Sequence, residues 1–97
     1  MKPRKYILTI IKRIETLYPN VICYAYLDGN EPMAHRWWSL CISDYNVYMN
    51  DERFKKLSSA CHKAAIAQGI KLIFFYCNPQ EKKLSELADK DNLIMNI

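Results

Sequence analysis

Residues 21–30 read Val-Ile-Cys-Tyr-Ala-Tyr-Leu-Asp-Gly-Asn, a run of strand-forming side chains that ends in a turn signal. A second β-rich segment follows at about 35–43, so the two segments are predicted to pair as an antiparallel hairpin with a longer loop through Pro32. Residues 44–49 carry further aromatic and β-branched side chains and are expected to extend or bend the second strand.

A helix is predicted before the hairpin, over residues 4–18. Its apolar side chains recur at spacings of three and four and form one stripe, which is typical of a helix that packs on a core. The stripe consists of Ile7, Ile10, Ile11, Ile14, Leu17 and Tyr18. The opposite side is basic and polar, and Pro19 ends the helix because proline disfavours helical geometry in the residue before it.

Further elements are predicted after the hairpin. A helix over 51–68 is expected to begin at an Asn50 cap and to stop at Gly69. Residues 71–77 are apolar on both faces, which predicts a central, covered strand. A third helix should start at Asn78-Pro79 and reach about residue 90, with an optional strand at 93–97. The order α-β-β-α-β-α predicts one α/β domain, residues 1–97, with a small mixed sheet and three helices.

Composition and charge limit the functional classes. The net charge is +4, and the first thirteen residues hold five cations and no acid, which leaves 4 − 5 = −1 for the rest. No apolar run approaches the ~20 residues that span a bilayer, so no membrane contact is expected. The cysteines form no C-x-x-C pair and lie in apolar segments, which predicts buried thiols in a reducing compartment and therefore a cytoplasmic protein.

Catalysis, cofactors and metals are not predicted. The Cys residues are widely spaced and Cys61-His62 is the only adjacent Cys/His pair, which is poor zinc-binding geometry. Two glycines cannot supply a P-loop or a dinucleotide-binding loop, and no nucleophile elbow is present. A metal-dependent nuclease or hydrolase using Asp28, Asp44 and His35 is the enzymatic alternative, although the E-x-K pattern of such sites is missing.

The favoured hypothesis is a non-catalytic binding protein. Neighbouring strand residues face opposite ways, so one of Trp37 and Trp38 should be buried. The other should lie on the outer face of the sheet, either covered by the first or third helix or exposed as an aromatic anchor. Together with Arg36 and the Lys5/Lys12 face, the exposed tryptophan is predicted to bind a protein. The chain would then modulate or inhibit a larger partner, such as a nucleic-acid-processing protein, in the manner of small phage or plasmid accessory proteins. It would do so as a monomer or homodimer.

The basic N-terminal helix supports an alternative hypothesis, direct and sequence-independent binding of nucleic acid. Cations on one helix face contact phosphates without reading bases. The residues concerned are Lys2, Arg4, Lys5, Lys12 and Arg13, with Lys55, Lys56 and Lys63 as an extension. The same lysines also fit a simple solvated surface, so the charge alone does not separate these interpretations.

Overall fold

The computed structural model describes residues 3–27, 36–77 and 93–96 of the chain, and its first element is the helix α1, Pro3–Leu17. Proline suits the first helical position because that residue needs no N–H donor. The isoleucines of the apolar stripe are buried: Ile7, Ile10, Ile11 and Ile14. The helix predicted over residues 4–18 is therefore confirmed to within one residue at each end.

Four strands form one mixed sheet: β1 (Cys23–Leu27), β2 (Trp38–Ile42), β3 (Leu72–Tyr76) and β4 (Leu93–Met95). Their order across the sheet is β3-β2-β1-β4. Strands β1 and β2 pair antiparallel, which confirms the predicted hairpin, and β4 confirms the optional last strand. The mixed α/β class is confirmed as well. The hairpin loop and the helix predicted from Asn78 to about residue 90 lie outside the described residues.

The segment after β2 is not an extended strand, as expected from its side chains, but a short helix, α2 (Tyr45–Asn50). Asp44 explains the difference because its carboxylate accepts a hydrogen bond from the Val47 N–H at 3.0 Å and so caps the first turn. Val47 and Tyr48 then pack against the core. A local capping bond thus outweighs the β propensity of the segment.

Helix α3 (Glu52–Ala67) follows α2 with a single residue between them. Asp51, rather than the predicted Asn50, is its cap, and the carboxylate accepts from the Phe54 N–H at 2.9 Å. Asn50 is unavailable because it is the last residue of α2, where its side chain donates to Asn46 at 2.9 Å. The rest of the predicted second helix is confirmed, and it ends before Gly69, whose φ of 78° is left-handed.

All three described helices lie on one face of the sheet. The large core contains side chains of α1, α2 and α3 together with alternate residues of the strands, including Ala25 of β1 and Leu40 of β2. A second, smaller cluster on the opposite face contains Tyr24, Tyr26 and Cys41 and has no residue from these helices. The described helices therefore form a single layer and lie beside one another on the sheet.

The prediction that residues 71–77 form a central strand is wrong, because among the described strands β3 lies at the edge of the sheet and pairs with β2 alone. Leu72 is buried, but Ile73, Phe75 and Tyr76 are each more than a third exposed. An apolar run of this length is equally typical of a covered central strand and of an edge strand, so the sequence pattern could not separate them.

Side chains from the helices cap the outer edge of β3. The Lys71 carbonyl accepts from the Trp38 N–H, and the Cys77 N–H donates to the Ile42 carbonyl. The backbone groups of odd-numbered residues in and beside β3 therefore face β2, and those of even-numbered residues face outward. Two outward carbonyls have partners: His62 Nδ1 lies 2.6 Å from Leu72 O, and the Tyr48 hydroxyl donates to Phe74 O at 3.3 Å. A carbonyl only accepts, so His62 Nδ1 carries the proton. These bonds occupy carbonyls that could otherwise accept hydrogen bonds from a strand of another molecule.

Removal of both caps is expected to promote self-association. The double variant Tyr48→Phe/His62→Ala loses two hydrogen bonds worth about 1 kcal/mol each and exposes the β3 carbonyls. We expect a lower urea midpoint and concentration-dependent light scattering. The control Tyr45→Phe removes a hydroxyl from an aromatic that contacts Tyr76 through its ring alone, and it should stay monodisperse. Equal scattering by both variants would show that the caps do not protect the edge.

Candidate functional site

A groove opens between α1 and α3, which run antiparallel on the sheet. Tyr18, at the end of α1, meets the start of α3: its hydroxyl donates to Asp51 at 2.9 Å and its ring packs edge-on against Phe54. At the other end, Tyr6 lies near Cys61 and Gln68 in the later turns of α3. Each helix packs on the sheet rather than against the other along its length, and the space between them remains open.

The groove has a volume of about 580 Å³ and a mainly apolar surface. Two features keep it open. Ala60 and Ala64 stand one turn apart on α3 and fill little space, and Leu17 of α1 remains 39% exposed because no described side chain covers it. The lining residues are Tyr6, Arg13, Leu17, Arg53, Lys56, Leu57, Ala60, Cys61 and Ala64.

Three cations and no acid belong to this lining: Arg13 from α1 and Arg53 and Lys56 from α3. Two acids stand close in sequence to Arg53. Asp51 caps α3 and lies near enough to Arg53 for their charges to attract, and Glu52 pairs with Lys55 at 3.5 Å on the exposed side of the helix. The groove therefore presents positive charge beside an apolar floor.

Asp51 fixes the basic end of the groove. Hydrogen bonds from the Phe54 N–H and the Tyr18 hydroxyl hold the pKa of its carboxyl below the usual value. Burial and the bond to this carboxylate raise the pKa of Tyr18. At neutral pH the pair is thus a carboxylate that accepts from a protonated phenol, which ties the end of α1 to the start of α3.

The Cys61 thiol and the Tyr6 hydroxyl in the groove are uncharged. Burial raises the pKa of the Cys61 thiol, an effect that the nearby Arg13 partly opposes. Burial also raises the pKa of the Tyr6 hydroxyl. Both groups keep their protons at neutral pH, so the charge of the groove is concentrated at Arg13, Arg53 and Lys56.

The predicted tryptophan pair divides as expected: Trp38 is 7% exposed and Trp37 is 42% exposed. Trp38 lies in the large core, where the Arg4 guanidinium stands 6.0 Å from its ring centre. Of the two, therefore, only Trp37 offers a surface to a partner. Arg36 is half-buried and lines a small cavity with Trp38. Trp37 directly precedes β2 and is not among the residues that line the groove.

The predicted phosphate-binding residues have separate positions. Arg4 donates to the carbonyl of Leu93 in β4 at 2.8 Å, so it anchors α1 to the sheet. Lys5 and Lys12 are exposed on the outer side of α1, whereas Arg13 lines the groove. Lys2 lies outside the described residues. The four described cations therefore do not form one surface.

The residues of the enzymatic alternative are not brought together among the described residues. Asp44 caps α2, while Asp28 and His35 lie outside the described parts of the chain. Within 3–27, 36–77 and 93–96, no group of three or more His, Cys, Asp or Glu side chains is placed to hold a metal ion. The same residues include no helix long and apolar enough to cross a membrane.

Sequence reasoning missed the groove. Arg53, Ala60 and Ala64 are visible in the sequence as one side of α3, at spacings of seven and four. That side becomes a site only because α1 lies beside it, and the contact that joins the two helices is between residues 33 positions apart. Comparisons with protein-family models, curated proteins and solved structures find no match to this chain.

Asp44 is expected to act in folding. Asp44→Ala removes the α2 cap and should lower the free energy of unfolding by about 1 kcal/mol, whereas Asp44→Asn keeps an acceptor and should cost much less. Urea denaturation followed by circular dichroism measures both. Equal losses for the two variants would contradict the capping role. A metal-dependent nuclease activity that Asp44→Asn abolishes without loss of stability would support the enzymatic alternative instead.

Proposed function

We propose that this chain is a non-catalytic binding protein that docks an acidic amphipathic helix of a partner protein in the groove between α1 and α3. The observation that carries the proposal is the combination of an open apolar floor with three cations and no lining acid. Apolar grooves between helices commonly receive the apolar face of a third helix. By binding this helix, the chain would modulate or inhibit the partner protein that carries it. A nucleic-acid-processing protein is one candidate class of partner.

The lining favours a helix over a small molecule. Small-molecule sites enclose their ligand and orient it with several converging polar groups. Here the polar groups that line the groove are the three cations together with the Tyr6 hydroxyl and the Cys61 thiol. Ala60 and Ala64 let a backbone approach closely, as small residues do where helices pack. The floor can therefore bury a row of leucine-sized side chains along its length.

The charge selects an acidic partner. Glutamates on the flanks of a docked helix would lie near Arg13, Arg53 and Lys56. Among the described residues these cations form no salt bridge, although the charge of Asp51 attracts Arg53. Charges at the rim of an interface mainly set specificity and association rate. A basic helix of the same apolar pattern would meet like charge and bind more weakly.

Charge reversal in the groove is expected to abolish most of this binding. The probe is a synthetic amphipathic peptide of about 14 residues, roughly four helical turns, with leucines on one face and glutamates on the flanks. The variant Arg13→Glu/Arg53→Glu should raise the Kd for this peptide by about tenfold or more, because two attractive contacts become repulsive. Fluorescence anisotropy measures the Kd, and chemical-shift changes in labelled protein locate the site.

A matched control is Lys5→Glu/Lys12→Glu, which changes the net charge by the same amount on the outer side of α1. It should bind the acidic peptide nearly as well as the wild type. A second peptide with lysine in place of glutamate should bind weakly. The proposal fails if the two double variants weaken binding equally, or if the shifted resonances lie away from the groove.

Direct nucleic-acid binding remains the second candidate because Lys5 and Lys12 are exposed two turns apart on α1. The threonines beside them, Thr9 and Thr16, bond back to the carbonyls of their own helix, so these lysines would supply the phosphate contacts. Affinity of this kind would be sequence-independent and would fall steeply with salt.

Titration of a fluorescent single-stranded oligonucleotide at several salt concentrations tests this candidate. Each phosphate contact should contribute about −0.7 to the slope of log K against log salt. Lys5→Glu/Lys12→Glu should reduce both the affinity and the slope for all sequences alike. Binding that is unchanged by this variant, or that persists at high salt, would exclude the outer face of α1 as a nucleic-acid surface.

A further inference from the structure

Two cysteines meet on the face of the sheet opposite the described helices. Cys41 lies near the end of β2, and Cys77 directly follows β3, where its N–H donates to the Ile42 carbonyl at 3.1 Å. That bond holds the end of β3 beside β2, and the two sulfur atoms are only 3.1 Å apart. Both residues carry thiols rather than a disulfide.

The sulfur positions suit a covalent bond. A disulfide joins its sulfur atoms at about 2.05 Å, so the two sulfur atoms must approach each other by about one ångström. No metal site competes at this position within the described residues, because no third His, Cys, Asp or Glu stands with the two thiols. Two thiols are too few ligands for a structural zinc site.

The two thiols differ in exposure, which gives each a separate role in oxidation. Cys41 is fully buried, whereas Cys77 is partly exposed. An exposed thiol is the one that an oxidant in solution reaches first, and a neighbouring buried thiol can then resolve the product. The other cysteines cannot take part, since Cys23 is buried in the core on the helix side and Cys61 lies in the groove.

A tyrosine hydroxyl completes the cluster. Tyr24 pairs with Cys41 in the register of β1 and β2, and its side chain is fully buried. The hydroxyl makes no well-formed hydrogen bond to a described residue. Burial, and next the proximity of Cys41 and Cys77, raise its pKa, so it remains a neutral donor beside both sulfur atoms. A phenol in this position can donate to a thiolate as it forms.

We propose that Cys41 and Cys77 are a redox-active dithiol that a low-molecular-weight disulfide, such as oxidised glutathione, converts to an intramolecular disulfide. The Cys77 thiol loses its proton to solvent, and the thiolate attacks one sulfur of the oxidant, so that one glutathione thiolate leaves. The Cys41 thiol then gives its proton to the departing glutathione thiolate as its sulfur attacks Cys77 Sγ, and the second glutathione leaves as a thiol. The protein loses two electrons and two protons, and the oxidant is reduced to two thiols.

The new bond would link β2 to β3 and close the loop that contains α2 and α3. Closure of a loop of this length restricts the unfolded chain and stabilises the folded one. Oxidation would therefore stiffen the segment that supplies one wall of the groove. The dithiol itself does not depend on the proposed binding function, because it stands on the opposite face of the sheet.

Equilibration of the wild-type protein in glutathione buffers of increasing oxidising strength tests the proposal. We expect intact-mass analysis to show the loss of two hydrogen atoms, and peptide mapping to show Cys41 joined to Cys77. The melting temperature of the oxidised form should be higher by about 5 °C or more. Full retention of all four thiols in the most oxidising buffer, or a disulfide between other cysteines, would overturn the proposal.

Variants separate this pair from general thiol oxidation. In the Cys77→Ser variant, Cys41 remains buried and shielded from the oxidant. Cys41 should therefore not become joined to glutathione, and no internal disulfide should form. The matched control Cys23→Ala/Cys61→Ser keeps the pair and should oxidise like the wild type. Tyr24→Phe should oxidise several-fold more slowly if the hydroxyl assists the thiolate. The mapping experiment on the wild type decides the proposal even if one variant fails to fold.

Discussion

The packing of α1 and α3 side by side on one face of a four-stranded sheet is the constraint on which the rest of the structure depends. The isoleucine stripe of α1 is buried against the strands, and Phe54 and Ala65 commit α3 to the same surface. Because both helices pack their apolar faces against the sheet, their side chains do not interdigitate along their length and a groove remains between them. Tyr18 and Asp51 close that gap at one end with a hydrogen bond.

The two faces of the sheet consequently have different chemistry. On the face that the helices cover, the groove between α1 and α3 carries positive charge from Arg13, Arg53 and Lys56. The other side carries Tyr24, Cys41 and Cys77 in close contact. The edge strand β3 joins the two, since its outer carbonyls are capped from the helix side and its end supplies Cys77. Binding in the groove and thiol oxidation are therefore independent proposals that share one framework.

Local patterns in the sequence were enough for α1, α3 and the hairpin, because each depends on periodicity or turn chemistry within about 15 residues. They were not enough for α2, where the Asp44 cap outweighed β propensity, or for β3, whose edge position depends on strand order. The division of Trp37 from Trp38 followed from strand alternation. The groove and the Cys41–Cys77 contact arise between residues far apart in the chain, and no local pattern encodes such contacts.

The central claim is that the groove between α1 and α3 receives an acidic helix, and Cys61 reports on it directly because its thiol lies in the groove lining. The measurement is the rate at which a maleimide modifies Cys61 in protein that has been reduced and then freed of reductant, followed by mass spectrometry with and without saturating acidic amphipathic peptide. We expect the peptide to slow modification of Cys61 several-fold and to leave that of Cys77 unchanged. An unchanged Cys61 rate in the presence of bound peptide would contradict it.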